Sequence, residues 1–473
     1  NHKEQNRASS ITRRNFMTTT ATSALTAAFS PSLISNALAE GKQAGEAVRE
    51  VLTGSHWGAM HATVKNGRLV SALPFRKDPF PNPLVNHTPE HVYSDSRVKY
   101  PMVRAGFLEK KHLSDTSQRG RDEFVRVSWD SALDLVADEL QRVKQKHGPT
   151  AIYAGNQNWK SSGRFHNCGA ALTRLLNLLG GYSPSYTNYS TGAMSVILPY
   201  VLGSWDPISR PTAWPVVIES SELVILWGSD PKKSLKVGWL IPSHSGLEGL
   251  QQLKASGKRV VVIDPFRSDS AEYLSAEWVA PRPGTDVALM LGIGHTLFES
   301  KLFDRAFIDR YTVGFDRFRS YLTGESDGVP KSAQWAADIC HVDAALIRGL
   351  AASMAENRTM LIAGWSLQRA DHGEQVPWML ITLASMLGQI GLPGGGFSLN
   401  YHYGSAGSVI ADGANLGGLS SDSAPPGMPA PMPGTRISDA LLNPGQTIDF
   451  RGEKVTYPHI KLIYWAGGNP FSH

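Results

Sequence analysis

The sequence contains very little cysteine. Its 473 residues include only two cysteines, Cys168 and Cys340. Two thiols exclude a disulfide-rich scaffold and any iron–sulfur cluster that is held by four local cysteines. A single bridge between the two residues stays open, although nothing in the sequence favours it.

An excess of one charge is also missing from most of the chain. The formal net charge is +5, and residues 1–39 supply much of it through four basic residues and one acidic residue. The near-neutral remainder lacks the basic surface that binding to DNA or RNA requires. We therefore predict no nucleic-acid partner.

No apolar run is long enough to cross a bilayer. The best candidate follows Arg13 and Arg14, is rich in Thr and Ser, and ends in Ala-Leu-Ala at 37–39. A basic start, a short apolar middle and an A-x-A end are typical of an export signal, and adjacent arginines indicate its twin-arginine type. We expect residues 1–39 to direct the folded chain to the periplasm; a basic amphipathic helix or a membrane anchor is the alternative.

From Ser128 onward, helical and strand patterns alternate. Ser128 caps a predicted helix that Gly148-Pro149 ends, and buried strands are predicted at 150–155, 222–228, 258–265 and 359–363. Such alternation predicts an α/β fold with parallel sheets covered by helices. Upstream, the pattern around Asn66-Gly67 predicts a β-hairpin.

Composition divides the chain further. Residues 404–435 are dominated by Gly, Ser, Pro and Met, which predicts a long loop. The predicted boundaries are an export signal at 1–39, a strand-rich N-terminal domain at 40–125, the first part of an α/β domain at 126–212, a second α/β domain at 213–403, the loop at 404–435 and a return to the α/β core at 436–473.

Turns after the predicted strands are candidates for nucleotide binding, because parallel sheets bind ligands at the carboxyl ends of their strands. Small residues there let a backbone approach a phosphate, and carboxylates accept hydrogen bonds from a ribose or a guanine. None of these turns matches G-x-G-x-x-G or a P-loop. The alternative is that they are ordinary turns that connect a strand to the next helix. The candidates are Gly228, Ser229, Asp230, Asp264, Pro265, Gly284 and Asp286.

Three further segments stand out. Gly394, Gly395 and Gly396 offer consecutive amides for a phosphate or a pterin edge, or form a flexible loop. Polar and aromatic clusters follow two strands, with core packing plus surface charge as the alternative. These clusters are Trp159, Lys160 and Arg164, and Trp365, Arg369, His372 and Gln375.

Ser190 lies in the stretch "TNYSTGAMS". Three interpretations apply to it: a turn residue, a nucleophile or a metal ligand. The G-x-S-x-G elbow of serine hydrolases is missing around it, which argues against acyl transfer.

Taken together, ten stretches resemble the dimethyl-sulfoxide-reductase family of molybdenum enzymes, and within it the branch that reduces trimethylamine N-oxide. The resemblance covers the chain from about residue 50. The matching stretches are "LTGSHWGA", "KYPMVR", "HLSDTSQRG", "FVRVSWD", "YSTGA", "LWGSD", "AGWSLQR", "HGEQ", "MLGQIGLPGGGF" and "GGNPF".

The resemblance implies a molybdenum ion held by a bis(molybdopterin guanine dinucleotide) cofactor. It also implies that Ser190 is a metal ligand, and a deprotonated hydroxyl is a hard donor suited to a high-valent metal. Branches with cysteine or selenocysteine there often carry an N-terminal iron–sulfur motif. The corresponding "GSHWGAMH" has no cysteine, so we expect no iron–sulfur cluster.

The family also implies roles for other positions. Trp159 resembles the tryptophan that hydrogen-bonds the transferable oxygen, and Trp365 and Arg369 resemble the walls of a substrate funnel. With Ser190 these form the expected catalytic set. The expected cofactor-binding set is Trp57, Lys160, Ser161, Tyr189, Thr191, Trp227, Gly228, Ser229, Asp230, Ser234, Ile263, Asp264, Pro265, Gly284, Asp286, Gly364, Gln368, His372, Gln375, Gly395, Gly396, Gly468 and Asn469.

The implied reaction is oxygen-atom transfer in anaerobic respiration, in which trimethylamine N-oxide becomes trimethylamine. Sulfoxide reductases carry a tyrosine where this chain has Gln157, which favours the N-oxide over dimethyl or biotin sulfoxide. The family further implies a membrane-anchored multihaem cytochrome c as electron donor and a cytoplasmic maturation chaperone.

Family members continue past "GGNPF" with a C-terminal cofactor-binding barrel domain. We therefore expect two Rossmann-like parallel-sheet domains and a strand-rich N-terminal domain, with the barrel domain absent. A non-catalytic fragment that binds the cofactor ends or the chaperone is the alternative function.

Overall fold

The computed structural model describes residues 47–155, 167–238, 243–409 and 425–467. Sixteen strands lie within these ranges. They are β1 (Val48–Ser55), β2 (Gly58–Lys65), β3 (Arg68–Pro74), β4 (Met102–Arg104), β5 (Phe124–Arg126), β6 (Ile152–Gly155), β7 (Ser185–Tyr186), β8 (Leu223–Trp227), β9 (Arg259–Ile263), β10 (Glu277–Val279), β11 (Thr359–Ala363), β12 (Gly396–Ser398), β13 (Met432–Pro433), β14 (Thr447–Phe450), β15 (Glu453–Thr456) and β16 (Leu462–Trp465).

Helices of very different lengths connect the strands in the described ranges. They are α1 (Thr88–Tyr93), α2 (Ala105–Lys110), α3 (Trp129–His147), α4 (Cys168–Leu178), α5 (Gly192–Leu202), α6 (Asp206–Ser209), α7 (Trp214–Ser220), α8 (Pro231–Ser234), α9 (Gly246–Ala255), α10 (Asp269–Leu274), α11 (Asp286–Glu299), α12 (Arg305–Tyr311), α13 (Phe315–Leu322), α14 (Ala333–Cys340), α15 (Ala344–Glu356), α16 (Gln375–Met386) and α17 (Ile437–Leu442). Short 3-10 turns lie at 83–87, 111–113, 116–118, 149–151, 365–368 and 434–436.

The N-terminal region is an antiparallel sheet in the order β1-β2-β3. Asn66 and Gly67 connect β2 to β3 with φ angles of 51° and 74°. Two consecutive positive φ values match the twist of the flanking strands, which is why Asn-Gly is favoured at such turns. The predicted hairpin is confirmed.

Helix α3 starts and ends where the sequence predicts. The Ser128 side chain accepts a hydrogen bond from the Ser131 N–H, and Gly148 follows the last turn with a φ of 83°. Only part of its apolar stripe is buried: Leu140 and Val143 are in the core, whereas Trp129 is 67% exposed.

The largest sheet is wholly parallel and has the strand order β10-β9-β8-β11-β12. The chain starts at the central β8, builds outward through β9 and β10, and then crosses to β11 and β12 on the other side. Every residue of Leu223–Trp227 is buried, as expected for a strand with helices on both faces. The order of strands reverses between β8 and β11, where doubly wound folds bind ligands.

Two apolar cores cover the two faces of this sheet. Helices α11, α14, α15 and α16 pack on one face, and α7, α9 and α10 pack on the other. Alternate residues of β8 point into each core: Ile225 and Trp227 into the first, Val224 and Leu226 into the second. The expectation of parallel sheets covered by helices is confirmed.

A second parallel pairing brings distant segments together. Strand β16 pairs with β6, aligning Leu462 with Ile152, and β13 pairs with β7. Leu172 and Leu176 of α4 pack under the first pair. Residues after 436 therefore lie against the region that contains β6.

Within the ranges that the structure describes, no helix combines the length and apolarity needed to cross a membrane. Both cysteines are free: Cys168 is exposed and Cys340 is buried at the end of α14.

Candidate functional site

A cavity of about 360 Å³ opens at the carboxyl edge of the five-stranded sheet. The turns after β8, β9 and β11 and the segment after β12 form its walls. Its lining residues are Gly228, Ser229, Asp230, Lys233, Ser234, Val237, Asp264, Phe266, Ala363, Gly364, Trp365, Ser366, Arg369, Tyr401 and His402. The cavity thus lies at the switch point between β8 and β11.

Two glycines let the turns after β8 and β11 touch. A Cβ on Gly364 would lie 1.8 Å from the Gly228 carbonyl oxygen, and a Cβ on Gly228, whose φ is 52°, would meet Leu367. The Gly364 N–H donates to the Trp227 carbonyl at 2.9 Å, and Ser366 Oγ donates to the Gly228 carbonyl at 3.0 Å. Side chains are thereby kept out of this wall, and a ligand can approach the backbone closely.

Two carboxylates lie on the same side of the cavity. Asp230 Oδ1 accepts hydrogen bonds from Ser270 N–H (3.0 Å) and Ser270 Oγ (2.6 Å). Asp264 is buried, and its Oδ1 accepts a bond from the Phe266 N–H at 3.2 Å. Burial raises the pKa of Asp264, and the charges of Asp230 and Asp286 raise it further against the Phe266 bond and Lys233. A ligand that donates hydrogen bonds to such a carboxylate stabilises its charged form.

Aromatic rings also line the cavity. The Trp365 indole N–H donates to the Leu399 carbonyl at 2.7 Å, which fixes the ring. His402 stacks on Trp365 with ring centres 4.2 Å apart, and Tyr403 meets Trp365 edge-on. Burial, together with the Arg369 charge, lowers the pKa of His402 to about 4. The imidazole is therefore neutral at pH 7 and can both donate and accept a hydrogen bond.

The loop that carries Ser190 lies against the same wall. The Ser190 carbonyl accepts hydrogen bonds from Gln368 Nε2 at 2.8 Å and from Arg369 Nε at 3.3 Å. Thr191 follows as the residue before α5, and its N–H donates to Asn188 Oδ1 at 3.0 Å. Ser190 is a partly buried residue that lies two positions before the first residue of α5.

Tyr189 is held by a separate bond, in which its hydroxyl donates to the Gly434 carbonyl at 3.0 Å. Ser234 Oγ donates to the Tyr401 carbonyl at 3.1 Å, which joins α8 to the segment after β12.

Some residues of the predicted cofactor set point into the protein. Trp227 is fully buried, and its indole N–H donates to Asp286 Oδ1 at 2.9 Å. Burial raises the pKa of Asp286, and the Trp227 bond opposes this. Ile263 is also buried, and its carbonyl accepts the Gly228 N–H at 2.8 Å. The Trp227 side chain faces the core because alternate strand residues face opposite ways, whereas Ile263 holds the turn through its backbone.

Other predicted residues lie outside the cavity lining. Pro265, Gly284, His372 and Gln375 are exposed to solvent. Trp57 packs against Met60, Ala72 and Val85 of the N-terminal region.

Gly395 and Gly396 lie at the wrong edge to join this cavity. They precede and begin β12, so they are at the amino ends of the strands, beside a separate cavity of about 390 Å³. The Gly394 carbonyl accepts a bond from Ser221 Oγ at 2.7 Å, just before β8. The structure does not bring these glycines together with the turns after β8, β9 and β11.

Five predicted residues fall outside the described residues: Trp159, Lys160, Ser161, Gly468 and Asn469. Arg164 and Gln157 do so as well.

Sequence reasoning missed several lining residues. Tyr401 and His402 follow β12 in the stretch "LNYHYG", and a run of aromatic residues and histidine after a short strand was the available signal. Lys233 and Ser366 carried no comparable signal, since lone residues of these types are usually surface positions, and a lone Phe266 would more often be a core residue.

Comparison with known proteins supports the resemblance. The sequence profile of "Molybdopterin oxidoreductase" matches residues 97–473, and that of "Molybdopterin oxidoreductase N-terminal domain" matches residues 53–93.

Curated relatives cover most of this chain. It is 51% identical to a dimethyl sulfoxide/trimethylamine N-oxide reductase of Cereibacter sphaeroides, over 92% of this chain and 54% of the relative. It is 46% identical to a trimethylamine-N-oxide reductase of Haemophilus influenzae, over 90% of this chain and 53% of the relative. The chain therefore spans about half the length of these relatives. Among solved structures, acetylene hydratase from Pelobacter acetylenicus matches with 21% identity and a TM-score of 0.49, covering 72% of this chain and 44% of that one.

Proposed function

The chain belongs to the molybdopterin oxidoreductase family, and on that premise we propose that it reduces trimethylamine N-oxide to trimethylamine by oxygen-atom transfer. The N-oxide loses its oxygen atom, and two electrons and two protons convert that oxygen to water. Relatives of 46–51% identity carry this substrate in their names. The observation that carries the proposal is the contact of the Ser190 loop with the wall of the switch-point cavity through Gln368 and Arg369.

The family implies a molybdenum–pterin cofactor, and the cavity fits a part of such a group. A Cβ on Gly364 would clash with the Gly228 carbonyl oxygen, so this part of the cavity wall consists of backbone atoms. Asp264 and neutral His402 both line the cavity and offer hydrogen-bonding groups to a ligand. When bound, the cofactor supplies two-electron redox chemistry and a metal able to accept an oxygen atom.

We assign the guanine dinucleotide form to this cofactor. Its nucleotide end would contact the turns after β8 and β9, where Asp230 and Asp264 accept hydrogen bonds from a ribose or a guanine. Gly228, Ser229 and Gly364 would admit a phosphate to the backbone. Ser234 would hold the nearby segment after β12.

Ser190 is the proposed metal ligand. Its hydroxyl oxygen is a hard donor suited to a high-valent metal, and Ser190 lies just before the N-terminus of α5, where a negative charge would be favoured. Trp365 and Arg369 would line the path of the substrate, with Arg369 as a cation near the N-oxide oxygen. Trp159 keeps its proposed role as a donor to that oxygen.

We propose cofactor-binding roles for the other residues of the predicted set as well. Trp57, Tyr189, Thr191, Gln368, His372, Gln375, Gly395 and Gly396 are proposed on the resemblance, as are Lys160, Ser161, Gly468 and Asn469. Trp227, Ile263, Pro265, Gly284 and Asp286 would act through the turns that they support.

A direct test is to purify this chain from cells that make the cofactor, measure bound molybdenum, and assay trimethylamine N-oxide with reduced viologen. Ser190→Ala should lower turnover by about a thousandfold, more than the 10- to 100-fold that follows loss of residues that only orient a ligand. Its melting temperature should stay near that of the parent chain. Near-normal turnover of Ser190→Ala would reject the ligand role, and a folded parent without molybdenum would favour the non-catalytic alternative.

A sulfoxide is the second candidate substrate. The name of the Cereibacter sphaeroides relative pairs dimethyl sulfoxide with trimethylamine N-oxide. Gln157, where sulfoxide reductases carry tyrosine, ranks the N-oxide first. Relative kcat/KM for the two substrates tests this ranking, and Gln157→Tyr should shift it toward the sulfoxide.

We further propose export of the folded chain to the periplasm through the signal at residues 1–39, loading by a cytoplasmic chaperone, and reduction by a multihaem cytochrome c. Replacing Arg13 and Arg14 with lysine tests the first point, because a twin-arginine signal should then leave the protein in the cytoplasm.

A further inference from the structure

The Gln368 side chain connects two parts of the chain that are far apart in sequence. It lies in the 3-10 turn Trp365–Gln368, which follows β11, and is only 4% exposed. Its partners lie on both sides of the Thr191–Gly192 step, where the Ser190 loop becomes α5.

The amide of Gln368 is fully engaged on its donor side. Nε2 donates to the Ser190 carbonyl at 2.8 Å and to the Trp365 carbonyl at 3.1 Å. Oε1 accepts the Ala193 N–H at 2.9 Å. The two carbonyls and the single N–H define which end of the amide is nitrogen, and both of its N–H donors are matched.

The Ala193 N–H is one of the first amides of α5, which have no partner inside the helix. Gln368 satisfies this amide and, three residues earlier, holds the Ser190 carbonyl. One rigid planar group therefore spans the loop on both sides of Thr191.

The other end of this arrangement is also fixed. Trp365, whose carbonyl Gln368 contacts, is anchored by its indole to Leu399 and stacks on His402. The cavity wall and the Ser190 loop are thus connected through buried hydrogen bonds.

We propose that Gln368 is a positioning residue, whose amide fixes the backbone around Ser190 and so orients the Ser190 hydroxyl. This inference rests on the proposed role of Ser190 as the metal ligand. It changes the expected role of Gln368, because its donors serve the protein rather than the cofactor.

Gln389 provides a matched control in the same fold. Its Oε1 accepts the Thr359 N–H at 2.7 Å, and its Nε2 donates to the Asn357 carbonyl at 2.8 Å. It therefore joins two backbone segments in the same way, but at the amino end of β11.

The first experiment is hydrogen–deuterium exchange on Gln368→Met and Gln389→Met in the full chain. Loss of the Oε1 bond should speed exchange of the Ala193 amide by about fivefold or more in the first variant and leave it unchanged in the second. Gln368→Glu keeps an acceptor for Ala193 but turns a carboxylate oxygen toward the Ser190 carbonyl, so it should loosen the loop on the Ser190 side only. Unchanged exchange across residues 188–195 in both Gln368 variants would overturn the proposal.

The second experiment records the molybdenum-centred electron paramagnetic resonance spectrum of the loaded chain. We expect a shifted spectrum in both Gln368 variants and an unshifted one in Gln389→Met at a similar melting temperature. A looser loop with an unshifted spectrum would overturn the positioning role, provided that Ser190→Ala does shift the spectrum. If Ser190→Ala leaves the spectrum unchanged, the ligand role of Ser190 fails, and the inference fails with it.

Discussion

The two edges of the five-stranded sheet use polar groups in different ways. At the amino edge, side chains form hydrogen bonds with backbone groups. Ser221 Oγ donates to the Gly394 carbonyl, and Lys258 Nζ donates to the Ser221 carbonyl at 2.6 Å. Gln389 Oε1 accepts the N–H of Thr359, the first residue of β11. At the carboxyl edge, Asp264 and His402 are in surroundings that disfavour their charged forms. Among these described residues, therefore, only those at the second edge are groups that a bound ligand could stabilise by donating or accepting hydrogen bonds in place of water.

The largest effect should come from filling the carboxyl edge. Gly364→Ala would drive a Cβ into the Gly228 carbonyl, so it should destabilise the chain by about 3 kcal/mol or more and abolish cofactor retention. Gly349→Ala is the matched control, because it lies in α15 with nothing within 4 Å of its Cβ and should stabilise by about 0.5–1 kcal/mol. Urea denaturation measures both, and a tolerated Gly364→Ala would show that the two turns can separate.

The next effect is pH-dependent and concerns His402. Its pKa is lowered to about 4 in the fold from a usual 6.5, so the unfolded chain binds the proton more readily. Above about pH 6.5 the imidazole is neutral in both the folded and the unfolded chain, and the full stability is present. As the pH falls toward 4, the unfolded chain binds a proton that the folded chain does not, so the free energy of unfolding falls by on the order of 2–3 kcal/mol.

The variant His402→Phe should remove that part of the loss between pH 7 and pH 4.5. The exposed His372, changed to Asn, is the control for loss of one imidazole. Equal acid sensitivity of parent and His402→Phe in denaturation curves would contradict the burial of this ring beside Arg369.

A smaller effect of opposite sign is expected at Asp264. Its pKa is raised because burial disfavours the charged carboxylate. At pH values above the usual titration range of a carboxyl group, the buried charge therefore lowers the free energy of unfolding. At pH 7, Asp264→Asn should therefore raise the free energy of unfolding by about 1 kcal/mol while weakening retention of the cofactor. The more exposed Asp269, changed to Asn, controls for charge alone. A destabilised Asp264→Asn would mean that the carboxylate serves the fold.

The smallest effect on cofactor retention belongs to the amino edge. Ser221→Ala removes the buried bond to Gly394, which should cost about 1 kcal/mol. Molybdenum content and turnover should not change once the chain is folded. A loss of cofactor in Ser221→Ala would mean that the segment at 394–396, which includes the proposed cofactor contacts Gly395 and Gly396, depends on this bond.

Local patterns predicted much of the fold. The strand at 359–363 and the capped helix after Ser128 depend on burial and capping, which are signals carried by neighbouring residues. The order of strands in the sheet was not predicted, because it depends on contacts between distant segments.

The site was predictable to a lesser extent. Gly228, Asp230 and Asp264 follow predicted strands and do line the cavity. Gly395 was assigned to a phosphate or pterin edge because consecutive glycines are typical of phosphate-binding loops. The sequence alone did not show that these glycines lie at the amino end of β12. The contact of Gln368 with Ser190 arises only when segments 178 residues apart meet, and His402 reaches Trp365 only when the segment after β12 folds against the turn after β11. No local pattern encodes either contact.

The pairing of β16 with β6 has a consequence for the order of synthesis. A ribosome adding about 5–20 residues per second needs tens of seconds to make the roughly 300 residues between the two strands. The whole five-stranded sheet lies inside that interval and can form while β6 still waits for its neighbour. Folding is therefore nested: the five-stranded sheet can form first, and the pair of β6 and β16 can form only after β16 has left the ribosome.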